Sequence, residues 1–148
     1  MSSEDPQTQA RETFGMAMAH FRQALQFPEL RLENIGMDLL AEAMALDPKF
    51  LDAALMLGMK LCDADSVKYR RKIVECATRA YLIDKDHPYA RMFLADVLDV
   101  DECRPYFLLS LLAQGSCDVR SDEIDDFIDD LRAKAKLTLR DDYEKYHQ

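Results

Sequence analysis

Two stretches of this chain echo one another. "AMALDPKFLDAALMLG" begins at Ala43 and "AYLIDKDHPYARMFLA" begins at Ala80, an offset of 37 residues. In each, the opening Ala is followed three places later by an aliphatic residue and then by Asp (Leu46-Asp47, Ile83-Asp84). Each then carries Ala at the eleventh place (Ala53, Ala90), Leu at the fifteenth (Leu57, Leu94) and a small residue at the sixteenth (Gly58, Ala95). An apolar run that stops at Asp and resumes within a few residues describes a junction between two helices. Its recurrence describes a repeat, and a helix-pair repeat constrains the fold strongly, because one pair can bury its apolar stripe only against the next pair.

The remaining sequence supports helices throughout. Four Gly and five Pro in 148 residues are too few for a loop-rich or β-rich chain, and alternating Val, Ile and Thr runs, the strand signal, are absent. The first ten residues are expected to fray, although Asp5-Pro6 is a helix-start signal. A first helix then runs to Phe27 with Phe14, Ala17, Phe21, Ala24 and Leu25 on its apolar face, and Pro28 stops it. A second presents Leu32, Ile35, Leu39, Leu40 and Ala43, and a third, from about Phe50, presents Ala54, Leu57, Gly58 and Leu61. "DADS", from Asp63, is expected to break the chain there and to cap a fourth helix from about Val67 to Ile83 through Asp65 or Ser66. A fifth spans Tyr89 to Leu98. A sixth, the apolar run Tyr106 to Ala113, reads as a core helix with Phe107, Leu108, Leu111 and Leu112, ending at Gly115. The tail from Ser121, its expected N-cap, carries Ile124, Phe127, Ile128, Leu131 and Ala135 at helical spacing. The prediction is seven or eight helices whose short links make successive ones antiparallel neighbours.

The echo resembles the tetratricopeptide repeat, a 34-residue helix–turn–helix unit with Leu-Gly in its first helix, a small and a large apolar residue in its second, and Asp-Pro at the boundary. On that resemblance the chain is all-α: a tetratricopeptide-like solenoid of antiparallel helix pairs. Residues 1–16 are an N-terminal extension, 17–50 the first unit, 51–87 the second, 88–120 a degenerate third and 121–148 a capping helix. Three features depart from the family pattern. Ala54 and Arg91 stand where an early aromatic is usual, Gln114 replaces a late Ala, and the second boundary reads Asp84-Lys85.

The resemblance also implies a function. In this family the first helix of each unit lines a concave face that holds a peptide of another protein. The corresponding outward positions are Met18, Phe21 and Leu25 in unit one, Asp52, Leu55, Met59 and Cys62 in unit two, and Tyr89, Met92, Asp96 and Asp99 in unit three. Methionines suit an adaptable binding surface, and the acids suit a basic or amphipathic partner. A protein-interaction module, an adaptor or a small chaperone, is therefore expected. The alternatives are a structural subunit that forms a homodimer through the apolar stripe, and, more remotely, a small helical enzyme.

Other classes have little support. A formal net charge of −9 disfavours nucleic acid as ligand and an anionic membrane as support. No apolar run reaches the ~20 residues of a membrane span, and the polar start "MSSEDPQTQA" lacks the apolar core of a signal peptide, so a cytoplasmic location is expected. Cys62, Cys76, Cys103 and Cys117 form no CxxC pair and read as small buried hydrophobes in a reducing compartment. "DADSVKYRRKIV" has cations where a calcium loop needs ligands and glycine. His20, His87 and His147 are scattered, with His20 expected to be half-buried, and there is no phosphate loop or nucleophile elbow. No catalytic residue, metal or cofactor is expected. The acidic stretch from Ser121 to Asp130 reads as the solvated face of the tail helix.

Overall fold

A computed structural model describes residues 5–28, 31–116 and 118–146. The described residues form seven α-helices: α1 (Pro6–Gln26), α2 (Leu32–Leu46), α3 (Leu51–Asp65), α4 (Arg70–Ile83), α5 (Pro88–Leu98), α6 (Arg104–Ala113) and α7 (Ile124–Tyr146). Short 3-10 turns precede α6 (Asp101–Cys103) and α7 (Ser121–Glu123). Among the described residues there is no strand, and no helix is long and apolar enough to cross a membrane.

The start of the chain is more ordered than expected. Proline occupies the first turn of α1, where its missing N–H costs nothing, and Asp5 Oδ1 accepts the Thr8 N–H at 2.7 Å. Those bonds hold the Asp5 carboxyl below its usual range. Ala10 is fully buried, so fraying does not extend through the first ten residues; residues 1–4 lie outside the described part. The α3–α4 break also falls later than "DADS" suggests: α3 continues to Asp65 and α4 begins at Arg70. Asp65 Oδ1 accepts the N–H groups of Val67 and Lys68 and so closes the turn, but neither Asp65 nor Ser66 caps α4 as expected: Tyr69 stands at its N-cap, with no side-chain capping bond. At the tail, Ser121 opens a 3-10 turn and α7 proper begins at Ile124 with Asp125 and Asp126 in its first turn, where the helix dipole favours acids.

The echoed junctions have the same geometry. Asp47 ends α2 at φ −137°, ψ 94°, and Asp84 ends α4 at φ −145°, ψ 96°. Each Asp donates its N–H to the Ala four residues back, and its own carbonyl accepts the N–H three residues on (Phe50, His87). Each also folds its carboxylate onto the N–H two residues ahead, Lys49 at 3.1 Å and Asp86 at 3.0 Å. In each junction the Asp side chain satisfies a backbone donor of the turn that follows the helix. Ala43 and Ala80, Ala53 and Ala90, Leu57 and Leu94 are all buried in one continuous core.

Two glycines permit close helix contacts. A Cβ on Gly36 would lie 2.6 Å from the Phe21 ring, so α1 meets α2 through Phe21 against bare backbone. A Cβ on Gly58 would lie 2.7 Å from the Phe93 ring and 3.1 Å from Cys76 Cβ, so α3, α4 and α5 converge there. Gly115 has a different role: at φ +78° it closes α6, with Ser116 N–H reaching Leu111 O at 2.8 Å.

The third unit departs from the resemblance. Helix α5 packs chiefly on α7, and α6 packs on α4. The Phe127 ring of α7 stacks between Tyr81 of α4 (5.6 Å) and Phe107 of α6 (5.7 Å), while Ile124, Ile128, Leu131 and Ala135 are buried. The tail therefore contributes to the core instead of only covering its end. The run Tyr106 to Ala113 is correspondingly not a fully buried helix: Phe107 and Leu111 are buried, but Leu109 and Leu112 are exposed. Arg91, found where the family has an aromatic, folds back on the α4–α5 turn, donating to Lys85 O at 2.5 Å and pairing with Asp86 at 3.0 Å.

Candidate interaction surface

The outward positions of α1, α3 and α5 do not behave alike. In α1, Phe21 is only 6 % exposed, locked against Gly36 with Lys60 Nζ 4.5 Å from its ring centre. Phe21 is therefore a core residue and not an open contact. Met18 is half-buried against the core. Leu25, expected on the apolar face, is 84 % exposed near the end of the helix, and Ile35 of α2 is likewise exposed.

Helices α3 and α5 supply a better-defined patch. Leu55 is half-buried, Met59 is 45 % exposed, and Tyr89 and Met92 are exposed, with Asp52 in water at the start of α3. The two helices adjoin at Gly58 and Phe93, and the 37-residue offset pairs Asp52 with Tyr89 and Leu55 with Met92.

Asp96 and Asp99 are already engaged. Arg132 of α7 reaches Asp96 Oδ1 at 3.0 Å and Asp99 Oδ1 at 3.3 Å and also bonds Asp99 Oδ2. The guanidinium holds the Asp99 carboxyl below its usual range, and the two carboxylates raise the pKa of Arg132. The acids expected to attract a basic partner in unit three thus fasten the tail helix to α5. No signal in the spacing of Asp96 and Asp99 could have separated these two uses.

Cys62 is exposed, contrary to the expectation that the cysteines are buried, whereas Cys76 and Cys103 are buried; Cys117 lies outside the described residues. Burial pushes the Cys76 thiol up to about 12 and raises that of Cys103. Cys62 and Cys103 share a cavity of about 220 Å³ with Arg70, Ile73 and Phe93. His20 Nδ1 lies 2.8 Å from Met16 O, half-buried as expected, and His87 caps α5 by accepting the Ala90 N–H at 3.3 Å; His147 lies outside the described residues. Among the described residues no three His, Cys, Asp or Glu side chains are grouped to hold a metal ion.

The structure also presents a groove that the helical periodicity did not indicate. Arg71, Glu75 and Arg79 of α4 face Tyr106, Leu109, Ser110 and Ala113 of α6 across a space of about 480 Å³, with Gln114 at one end. Of its charged lining only Arg71 belongs to the basic run "KYRRK", Lys68 to Lys72; Glu75 and Arg79 lie beyond it. No protein-family model, curated protein or solved structure matches this chain.

Proposed function

We propose that this chain is a protein-interaction module of the tetratricopeptide-like kind, an adaptor or small chaperone, in which helix-pair repeats present one face to a peptide of another protein. It acts by binding and not by catalysis. The repeated Asp47 and Asp84 junctions, with matching backbone angles and hydrogen bonds at the 37-residue offset, support the repeat reading.

The observation that carries the binding face is the patch of Leu55, Met59, Tyr89 and Met92 on adjoining helices. Apolar side chains left partly exposed on neighbouring helices, two of them (Leu55 and Met92) at equivalent places of the echo, favour a partner, and methionines allow that partner to vary in shape. With Asp96 and Asp99 bound to Arg132, the partner is amphipathic with only a modest need for basic residues, met by Asp52.

Peptide-array binding to the intact chain tests this. Met59→Glu and Met92→Glu place a charge in the patch and should weaken binding by about tenfold or more, as loss of a central contact does, with an unchanged circular dichroism spectrum. Full binding by folded variants would exclude this face. Light scattering at several concentrations separates the alternative: a wild-type dimer dissociated by the same substitutions would assign the patch to self-association.

A further inference from the structure

We propose that the groove between α4 and α6 is a second docking surface, taking an acidic amphipathic segment of a partner protein. It shares no lining residue with α1, α3 or α5, so the proposal stands or falls independently of the face described above.

The charge of the groove runs against that of the chain. The chain has nine more acids than bases, yet the groove is lined by two cations, Arg71 and Arg79, against one acid, Glu75. Arg71 and Arg79 stand two turns apart on α4, about 12 Å along the axis, on either side of Glu75. Glu75 pairs with Arg79 at 3.7 Å. Arg71 has no carboxylate within ion-pair distance among the described residues; its guanidinium lies 5.2 Å from the centre of the Tyr106 ring. Stacking leaves the guanidinium edge free to donate two parallel hydrogen bonds to an incoming carboxylate. On the facing helix Leu109 is 60 % exposed.

A complementary ligand therefore has two carboxylates spaced to meet Arg71 and Arg79 and an apolar side chain between them to cover Leu109. Glutamates two turns apart on an amphipathic helix, with leucines between, meet this requirement. A nucleic-acid backbone offers the anions without an apolar group to cover Leu109.

The test is fluorescence anisotropy of a labelled synthetic Glu/Leu helical peptide of that spacing with the full chain. Saturable binding that weakens as salt is raised is expected. Arg71→Glu with Arg79→Glu, and Leu109→Glu alone, should each cost about tenfold or more, whereas Met59→Glu should leave affinity unchanged. Because the charge reversals could disturb folding, Arg71→Gln with Arg79→Gln is measured beside them and should also weaken binding. Three results would each overturn the proposal: absence of saturable binding, equal affinity for a peptide with Lys in place of Glu, or retained affinity in the neutral double variant. Tighter binding of a labelled single-stranded oligonucleotide than of the peptide would overturn it in favour of a phosphate ligand.

Discussion

The pair α3–α4 and the pair α5–α6 come from matching stretches of sequence yet are assembled differently. Helix α3 lies against α4, the helix that follows it, with Gly58 bare against Cys76. Helix α5 instead takes α7 as its main neighbour, and α6 lies on α4. Ala90, Leu94 and Ala95 are as deeply buried as their counterparts Ala53, Leu57 and Gly58. The difference shows that an apolar stripe specifies that a helix face will be covered but not which helix will cover it. Phe127, stacked on Tyr81 of α4 and Phe107 of α6, and Arg132, paired with Asp96 and Asp99 of α5, together seat α7 in that place.

The largest expected effect comes from truncating the chain after Arg120. This removes Ile124, Phe127, Ile128, Leu131 and Ala135 from the core. Amide exchange in α5 and α6 should then rise towards that of an unfolded chain while α1 to α4 retain protection. Unchanged protection in α5 would mean that α7 is only an outer cap and would erase the distinction between the two pairs.

Leu57→Ala and Leu94→Ala form the matched comparison at one repeat position. Both leucines are buried, and each substitution should cost about 2–5 kcal/mol in urea unfolding. In the truncated chain Leu94→Ala should lose most of its effect while Leu57→Ala keeps it. Equal costs in that background would indicate that α5 and α6 hold without the tail.

Gly58→Ala should destabilise by about 1–3 kcal/mol, the usual range for overpacking, because the added methyl meets Cys76 Cβ and the Phe93 ring together. At Gly36 the three nearest atoms all belong to the ring of Phe21, a side chain and not a Cβ fixed to another backbone as at Cys76, so Gly36→Ala should cost less in the same thermal melts. A reversed order would place the tighter junction in unit one.

The smallest effect is at the tail fastening. Arg132→Ala should cost no more than an exposed ion pair, about 0.2–1 kcal/mol at neutral pH. Its clearer signature is in pH dependence. Asp99 has a folded-state pKa below its ordinary value because of Arg132. Its contribution is present above the ordinary carboxylate pKa and is lost as pH falls through the lowered one. In Arg132→Ala that part of the acid limb should flatten. An unchanged acid limb would show that Arg132 does not hold α7 to α5.

The helices themselves were legible because their signals are local. Three- and four-residue apolar spacing, Pro in a first turn and Asp at a junction each act within a few residues. The boundaries moved where a side chain could extend a helix or close a turn, as Asp5 and Asp65 do. The exposure of the candidate positions was legible in part. Leu55, Met59, Tyr89 and Met92 are accessible in some degree, whereas Phe21 is core and Asp96 and Asp99 belong to the tail. Periodicity gives the side of a helix on which a residue sits. It does not say whether another helix or solvent occupies that side.

The sequence by itself determined the all-helical class, the two Asp junctions and the small residues Ala43, Ala80 and Gly58 that become interior points of close packing. Each follows from hydrogen bonding and steric size within one or two turns. Only the tertiary structure decided that α7 packs on α5, that Arg132 pairs with Asp96 and Asp99, and that Arg71 and Arg79 border a groove with Leu109. Those arrangements depend on which of several similar apolar stripes meet, and that choice is settled by shape and charge across distant parts of the chain.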